Sequence, residues 1–281
     1  TNEITSCAMD RFQFPILKIT QATSEIIEEM AEQIALSGNA SIYEDYPVNP
    51  KSTLQFGEYS SKGPSTLGFF KPDVVVNGDA LSANSGQTAP TLSSLTSKSG
   101  TSMATPAASG LLALINQYFT DGYYPSGKKD SQKGFLPTSS FLRAALINSA
   151  TPFQSSSYGP NIKSGFGIPN ISSILLEPLR IVNNMSITKN SKHKYVIRTT
   201  SKSQSLRITM AYLDPPLDDT SVLPIYADLD LIVISPSGVQ YTGNQKFNGQ
   251  TEVSNTIERV IINQSRIEIG EYVVLIMSSN F

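Results

Sequence analysis

The 281-residue chain contains one cysteine and one histidine, and only 16% of its residues are charged. The lone Cys7 excludes an internal disulfide and a cysteine-ligated metal site, and it says nothing about redox compartment. With 21 Lys plus Arg against 23 Asp plus Glu, the formal net charge is -2, so the basic footprint of a nucleic-acid binder is missing. No apolar stretch reaches the ~18 residues of a membrane span. The run "EYVVLIM" (271–277) has the length of a strand. The opening "TNEITSCAMDRF" has neither the basic start nor the apolar centre of a signal peptide, and residue 1 is Thr. The chain therefore reads as an internal segment or a processed product. What remains is 39% hydrophobic residues, enough for a sizeable core and for about two domains at the usual ~100–200 residues each.

Residues 15–36 read as a short strand, Ile16 to Ile19, then a helix capped by Thr23 or Ser24 with Ile26, Ile27, Met30 and Ile34 on one face. From Ser37 to Gly68 the pattern dissolves into Ser, Asn, Pro and Gly. "FKPDVVVNG" then predicts a short buried strand. Ala104 to Phe119 carries almost no charge and suits a helix buried nearly all round. A second helix, Thr138 to Ser149, is capped by Thr138 or Ser139 and buries Leu142, Ala145 and Leu146. Beyond about residue 180 helical periodicity gives way to alternating runs, "KYVIRTT", "SLRITMAY", "LDLIVIS", "TIERVIIN" and "EYVVLIM", separated by turns such as "PSG". That is the pattern of an antiparallel sandwich or barrel, and five such strands are enough to fold independently. Sequons at Asn39, Asn170, Asn184 and Asn263 would matter in a secretory protein, but a polar chain of this size produces a few by chance.

In "SKSGTSMATPAASG" (97–110), Ser102 stands between a small-residue turn and the first apolar helix. A serine hydroxyl is a useful nucleophile only when a base takes its proton and fixed donors await the oxyanion. If Ser102 caps a helix beginning near Met103, its own N–H and the positive end of the helix dipole face the same space as its hydroxyl. Gly100 then allows substrate close to the backbone, Ala104 leaves room, and Pro106 falls in the first turn, where its missing N–H costs nothing. By itself this pattern also fits an ordinary helix cap.

The full string "SGTSMATPAASG" closely resembles the nucleophile motif of the subtilisin-like serine peptidases, usually GTSMA-(T/S)-P before a buried helix. "YSSKGP" (59–64) is similar to that family's FSSRGP segment, and "KPDVVVNGDALSA" (71–83) to its KPDVVAPG stretch. "LRAALINSA" (142–150) and "GFGIPN" (165–170) are similar to the closing helix and turn of the same domain. Asn77 departs from the usual proline and is expected to loosen its turn. The resemblance implies a Ser-His-Asp triad in the chain order Asp, His, Ser, with Ser102 as nucleophile and Gly100 and Thr101 beside the substrate. The family's D-(S/T)-G and H-G-T segments are not found in this chain, and both should precede the serine. His193, in "NSKHKYVIRTT", follows Ser102 in another context and reads as a surface histidine. "LSGNAS" (36–41) superficially resembles the family's oxyanion motif AAGN, but Asn39 follows a helix holding Glu28, Glu29 and Glu32 rather than a buried strand. The stretch 14–31 better resembles the end of a protease-associated insert, which would put the oxyanion asparagine upstream of residue 1 and leave the Ser102 backbone N–H as the donor here.

"LRITMAYLDPP" (206–216), "YADLDLIVISPSG" (226–238) and "EYVVLIM" resemble the β-sandwich that follows the catalytic domain in the KP-43-like branch of large subtilases. There the sandwich is expected to buttress the catalytic domain. Asp214, Asp218, Asp219, Asp228 and Asp230 cluster in sequence and could hold Ca²⁺ at a sandwich edge, although Asp-Pro and Asp-Asp also suit solvated turns, and Asp228 and Asp230 share a strand face that could be wet. No cofactor is otherwise required.

The expected fold class is α/β. An end of a protease-associated insert (1–36) precedes the C-terminal part of a subtilisin-like parallel-sheet domain (37–180), and an all-β antiparallel sandwich (181–281) follows. The expected partners are a protein or peptide substrate and the upstream part of the same polypeptide, with no nucleic acid and no membrane span in this chain. The resemblance also implies a secreted or lumenal setting. The rival reading is an inactive protease relative kept as a binding or scaffolding module.

Overall fold

A computed structural model describes residues 4–5, 19–20, 54–84, 95–153, 159–215, 225–245 and 255–280. The chain divides into two compact units, Thr1–Gln55 and Phe56–Phe281. In the first, β1 (Ile4–Thr5) pairs antiparallel with β2 (Ile19–Thr20). The helix expected after Thr23 lies outside the described residues.

The second unit opens with an extended segment through Val74, Val75 and Val76, half-buried but not a ladder strand as expected. Its backbone groups go to a loop instead. Val75 N–H donates to Gly167 O at 3.0 Å and Asp73 O accepts from Phe166 N–H at 2.9 Å. An antiparallel hairpin of β3 (Asp79–Ala83) and β4 (Leu95–Ser99) follows and leads into α1 (Thr101–Thr120). Every strand pair among the described residues is antiparallel, and no parallel ladder is found there.

Helix α1 is buried on one face, at Ile115, Asn116 and Phe119, rather than nearly all round; Leu114 is 53% exposed. The buried face meets α2 (Ser139–Ser149) and α3 (Ser172–Leu176) in a core of Ile115, Phe119, Phe141, Leu142, Leu146 and Ile174. The Phe119 ring stands edge-on to Phe141 at 4.9 Å and lies 5.3 Å from Phe135, so one side chain joins α1, α2 and the connection between them. Helix α2 starts where its sequence predicts. Thr138 is in extended conformation and its hydroxyl accepts from Phe141 N–H at 3.2 Å, satisfying one of the unpaired donors of the first turn.

Six strands follow: β5 (Lys192–Thr199), β6 (Leu206–Ala211), β7 (Asp228–Ile234), β8 (Gln240–Thr242), β9 (Ile257–Ile262) and β10 (Gly270–Asn280). They form a four-stranded sheet in the order β5-β10-β7-β8 and a two-stranded sheet β6-β9. The five alternating runs each became a strand; three-residue β8, returning from the "PSG" turn, carried too little pattern to be read. Leu229, Leu231, Val233, Tyr272 and Val274 from the larger sheet meet Met210, Val260 and Ile262 from the smaller in one core.

Strand β9 is buried at every position. Period-2 alternation turns Val260 and Ile262 toward the sandwich core and Ile257, Arg259 and Ile261 the other way. Ile257 packs there with Ile147, Ala150 and Phe166, and Asn148 Nδ2 donates to Thr209 Oγ1 on β6 at 2.9 Å. The small sheet is thus a layer shared between the sandwich and helix α2.

Candidate active site

Gly100 is the hinge between β4 and α1. Its φ of 153° and ψ of 168° suit glycine, and a Cβ there would meet no heavy atom closer than 3.8 Å, so backbone conformation rather than crowding selects the residue. Gly100 N–H donates to Gly78 O at 2.9 Å, and Gly100 O accepts from Met103 at 3.0 Å and Ala104 at 3.2 Å. Helix α1 therefore begins at Thr101, and Ser102 lies within its first turn instead of capping it. Thr101 and Ser102 are both exposed. The Ser102 N–H is among the first donors of the helix, which have no partner within it, and the positive end of the helix dipole points the same way. Pro106 falls one turn deeper than expected, inside the helix, where no N–H is available for the Ser102 carbonyl. The Thr105 hydroxyl bonds Thr101 O at 2.9 Å on the same turn.

The segments 59–64, 71–83 and 142–150 meet one another or the loop 161–167 in space. Gly63 N–H donates to Ile162 O at 2.8 Å. Asp73, in "KPDVVVNG", forms an ion pair with Arg143 of α2 at 2.8 Å and a second with Lys71. Burial works to raise the Asp73 pKa, but Arg143 and Lys71 outweigh it and hold the carboxyl below the ordinary 3.8. Asn77, where the family usually has proline, accepts from Asp79 N–H with its Oδ1 at 3.0 Å, an Asx-type bond that closes the turn. Gly78 is hemmed in, since a Cβ there would sit 2.7 Å from the Tyr59 hydroxyl and 3.2 Å from Gly100 O.

Other candidates fall elsewhere. Asn39 lies outside the described residues, as do Asp218 and Asp219. His193 lies on β5 with intermediate exposure, on the same strand face as Tyr195, on which it stacks at 6.4 Å. Its Nε2 lies 3.1 Å from Ser186 O. Asp214 uses both oxygens on backbone, accepting from Tyr226 and Ala227 N–H. Asp230 is 3% exposed, so the face it shares with Asp228 is covered, not wet. Among the described residues no three His, Cys, Asp or Glu side chains come together to hold a metal. No helix among them is long and apolar enough to cross a membrane.

The Subtilase family model matches residues 17–168, more than half of the 281 residues. The chain belongs to the subtilase family. This subtilase is 39% identical over 105 residues to the Serine protease/ABC transporter B family protein tagB of Dictyostelium discoideum, covering 34% of this chain and 6% of that protein. It is 26% identical over 273 residues to tagA of the same organism, covering 85% of this chain and 15% of that protein. Against the Subtilisin-like protease SBT1.9 of Arabidopsis thaliana it is 29% identical over 167 residues, half of this chain and 23% of the relative. The chain thus spans less than a quarter of each of these relatives.

Sequence reasoning missed the buried polar residues that join the layers. Arg259 of β9 is 1% exposed, and its guanidinium donates to Ile147 O and Ala150 O at 2.8 Å and to Phe166 O at 3.0 Å. Two of those carbonyls lie at the C-terminal end of α2, where a cation is favoured. In "TIERVIIN" Arg259 stands between Glu258 and Val260, and nothing local signals that it is buried.

Proposed function

We propose that this subtilase is the nucleophile-bearing part of a serine endopeptidase that cleaves peptide bonds through an acyl-enzyme on Ser102. The observation that carries the reading is the exposed Ser102 on a glycine-hinged strand-to-helix turn, its N–H among the donors left over at the helix start. In this mechanism an upstream histidine takes the Ser102 proton as Oγ attacks the substrate carbonyl, and an upstream aspartate orients that histidine. The Ser102 N–H and an upstream asparagine hold the oxyanion, while Gly100 and Thr101 flank the substrate. The histidine returns its proton to the leaving amine, and water then releases the acyl group. His193 has no part in it, since the resemblance implies a histidine that precedes the serine, whereas His193 follows it on sandwich strand β5.

The same proposal divides the chain at about residues 36 and 180 and assigns the sandwich to the KP-43-like branch, supported by its six antiparallel strands after the helical region. The expected substrates are proteins or peptides met in a secreted or lumenal compartment. Ser102→Ala in the full-length protein tests the reading. In subtilisin, loss of the nucleophile alone costs about 10⁶ in kcat, whereas a serine in the first helical turn costs at most ~0.5–2 kcal/mol even as a cap. A folded Ser102→Ala protein retaining a tenth of wild-type turnover would refute it and favour the binding-module reading.

A further inference from the structure

We propose that Arg259, a residue of the β-sandwich, is a positioning residue for Ser102. The inference rests on Ser102 being the nucleophile. Three features of the geometry carry it.

First, the Arg259 guanidinium forks across three carbonyls from two separate segments, Ile147 and Ala150 at the end of α2 and Phe166 in the loop that follows, with its carbon 5.0 Å from the centre of the Phe166 ring. A planar fork with several fixed donors can do this; an ammonium can serve only part of it. The arginine is itself held, since its backbone N–H donates to the buried Asn244 Oδ1 at 3.1 Å.

Second, Phe166 is where the segment leading to the serine is anchored. Phe166 N–H bonds Asp73 O, Gly167 O accepts from Val75 N–H, and three residues further on Gly78 O accepts the Gly100 N–H at the hinge of α1. Gly165 permits this approach: a Cβ there would lie 2.0 Å from Pro72 O and 2.4 Å from Asp73 O.

Third, the residues just before β9 grip the same segment. Asn255 Oδ1 accepts from Phe70 N–H at 2.9 Å, and Thr256 Oγ1 accepts from Arg143, which also pairs with Asp73. The sandwich thus reaches residues 70–75 directly through Asn255 and at one remove through Arg143 and through Phe166, and those residues run straight to the Gly78–Gly100 contact. Misplacement of about 1 Å can cost on the order of a hundredfold in rate.

The test uses the full-length protein with Arg259→Gln, Arg259→Lys, Ser102→Ala and, as a control, Val233→Ala, which truncates a buried side chain on β7 of the larger sheet. Peptide hydrolysis and the rate of Ser102 labelling by a fluorophosphonate are measured at equal intervals below each variant's own Tm. Arg259→Gln is expected to lower kcat and labelling roughly ten- to a hundredfold with KM unchanged. Arg259→Lys should recover part of the loss, and Val233→Ala should leave both rates within twofold of wild type. If Arg259→Gln does not fold, Arg259→Lys decides alone through a fall of at least threefold. Arg259 variants that lose Tm but keep wild-type rates, or a Val233→Ala protein that loses rate equally, would overturn positioning while leaving the serine reading intact. Hydrolysis and labelling that persist in Ser102→Ala would instead overturn the reading on which this one rests.

Discussion

Replacing Gly165 by alanine should separate two costs that usually come mixed. Gly165 has φ 55° and is buried, with the Pro72 and Asp73 carbonyls inside the space a methyl would need. Gly68 has φ 85°, is exposed, and has nothing within 4 Å of its would-be Cβ. Gly68→Ala therefore reports left-handed strain alone, about 1–2 kcal/mol. Gly165→Ala carries the same strain and must also push residues 72–73 away. That breaks the 2.9 Å bond from Phe166 N–H to Asp73 O and leaves a buried donor unsatisfied, a further ~1–3 kcal/mol. The sum of about 2–5 kcal/mol corresponds to a Tm loss of about 5–15 °C in a unit of this size. Calorimetry of the two variants beside wild type measures it, and labelling of Ser102 below the melt should slow in Gly165→Ala only. Equal Tm losses in the two variants would show that the close approach of 72–73 to 165 is not what holds this segment.

Asp73→Asn should change how stability depends on acid. The Asp73 carboxyl titrates below 3.8 when folded, so its contribution is fully present above that value and is lost as pH falls through the lower folded pKa. The variant should accordingly be less stable at neutral pH and show a flatter stability profile below pH 4; an unchanged acid limb would contradict the Arg143 and Lys71 pairing. Gly243→Ala would place a methyl 2.0 Å from Glu258 Oε2, which accepts from Leu231 N–H, and is expected to destabilise by more than ~1 kcal/mol in denaturant titration. A midpoint equal to wild type would mean that Glu258 has room to move. Residues 181–281 expressed alone keep the strands expected to fold independently but lose the partners of Ile257 and Arg259, so they should melt below the parent temperature and bind a hydrophobic dye; a cooperative melt at the parent temperature without dye binding would show that the shared β6-β9 layer is dispensable.

How far the sequence could be read follows from where information is local. Helix α2 with its Thr138 cap, and the strands β5, β6, β7, β9 and β10, rest on period and capping chemistry contained in a dozen residues. Ser102 stands out because the whole local string "SGTSMATPAASG" resembles a nucleophile motif, whereas a glycine beside a helix start would fit any cap. The start of α1 shifted because Gly100, not Ser102, has the non-helical backbone. Leu114 stands exposed on a helix of almost wholly apolar sequence because periodicity gives the polarity of a face and not what covers it. Arg259 and Asn255 were invisible for a different reason: their partners lie roughly ninety to one hundred and ninety residues away in sequence, and no single-chain pattern encodes a contact of that separation.

The most direct test of the central claim is to treat the full-length protein with a fluorophosphonate probe, digest it and locate the adduct by mass spectrometry. The account predicts one adduct, on Ser102 within "SGTSMATPAASG", absent from Ser102→Ala and absent when the 281-residue chain is treated alone. An adduct on another serine, or peptide hydrolysis by the full-length protein with Ser102 unmodified, would contradict it.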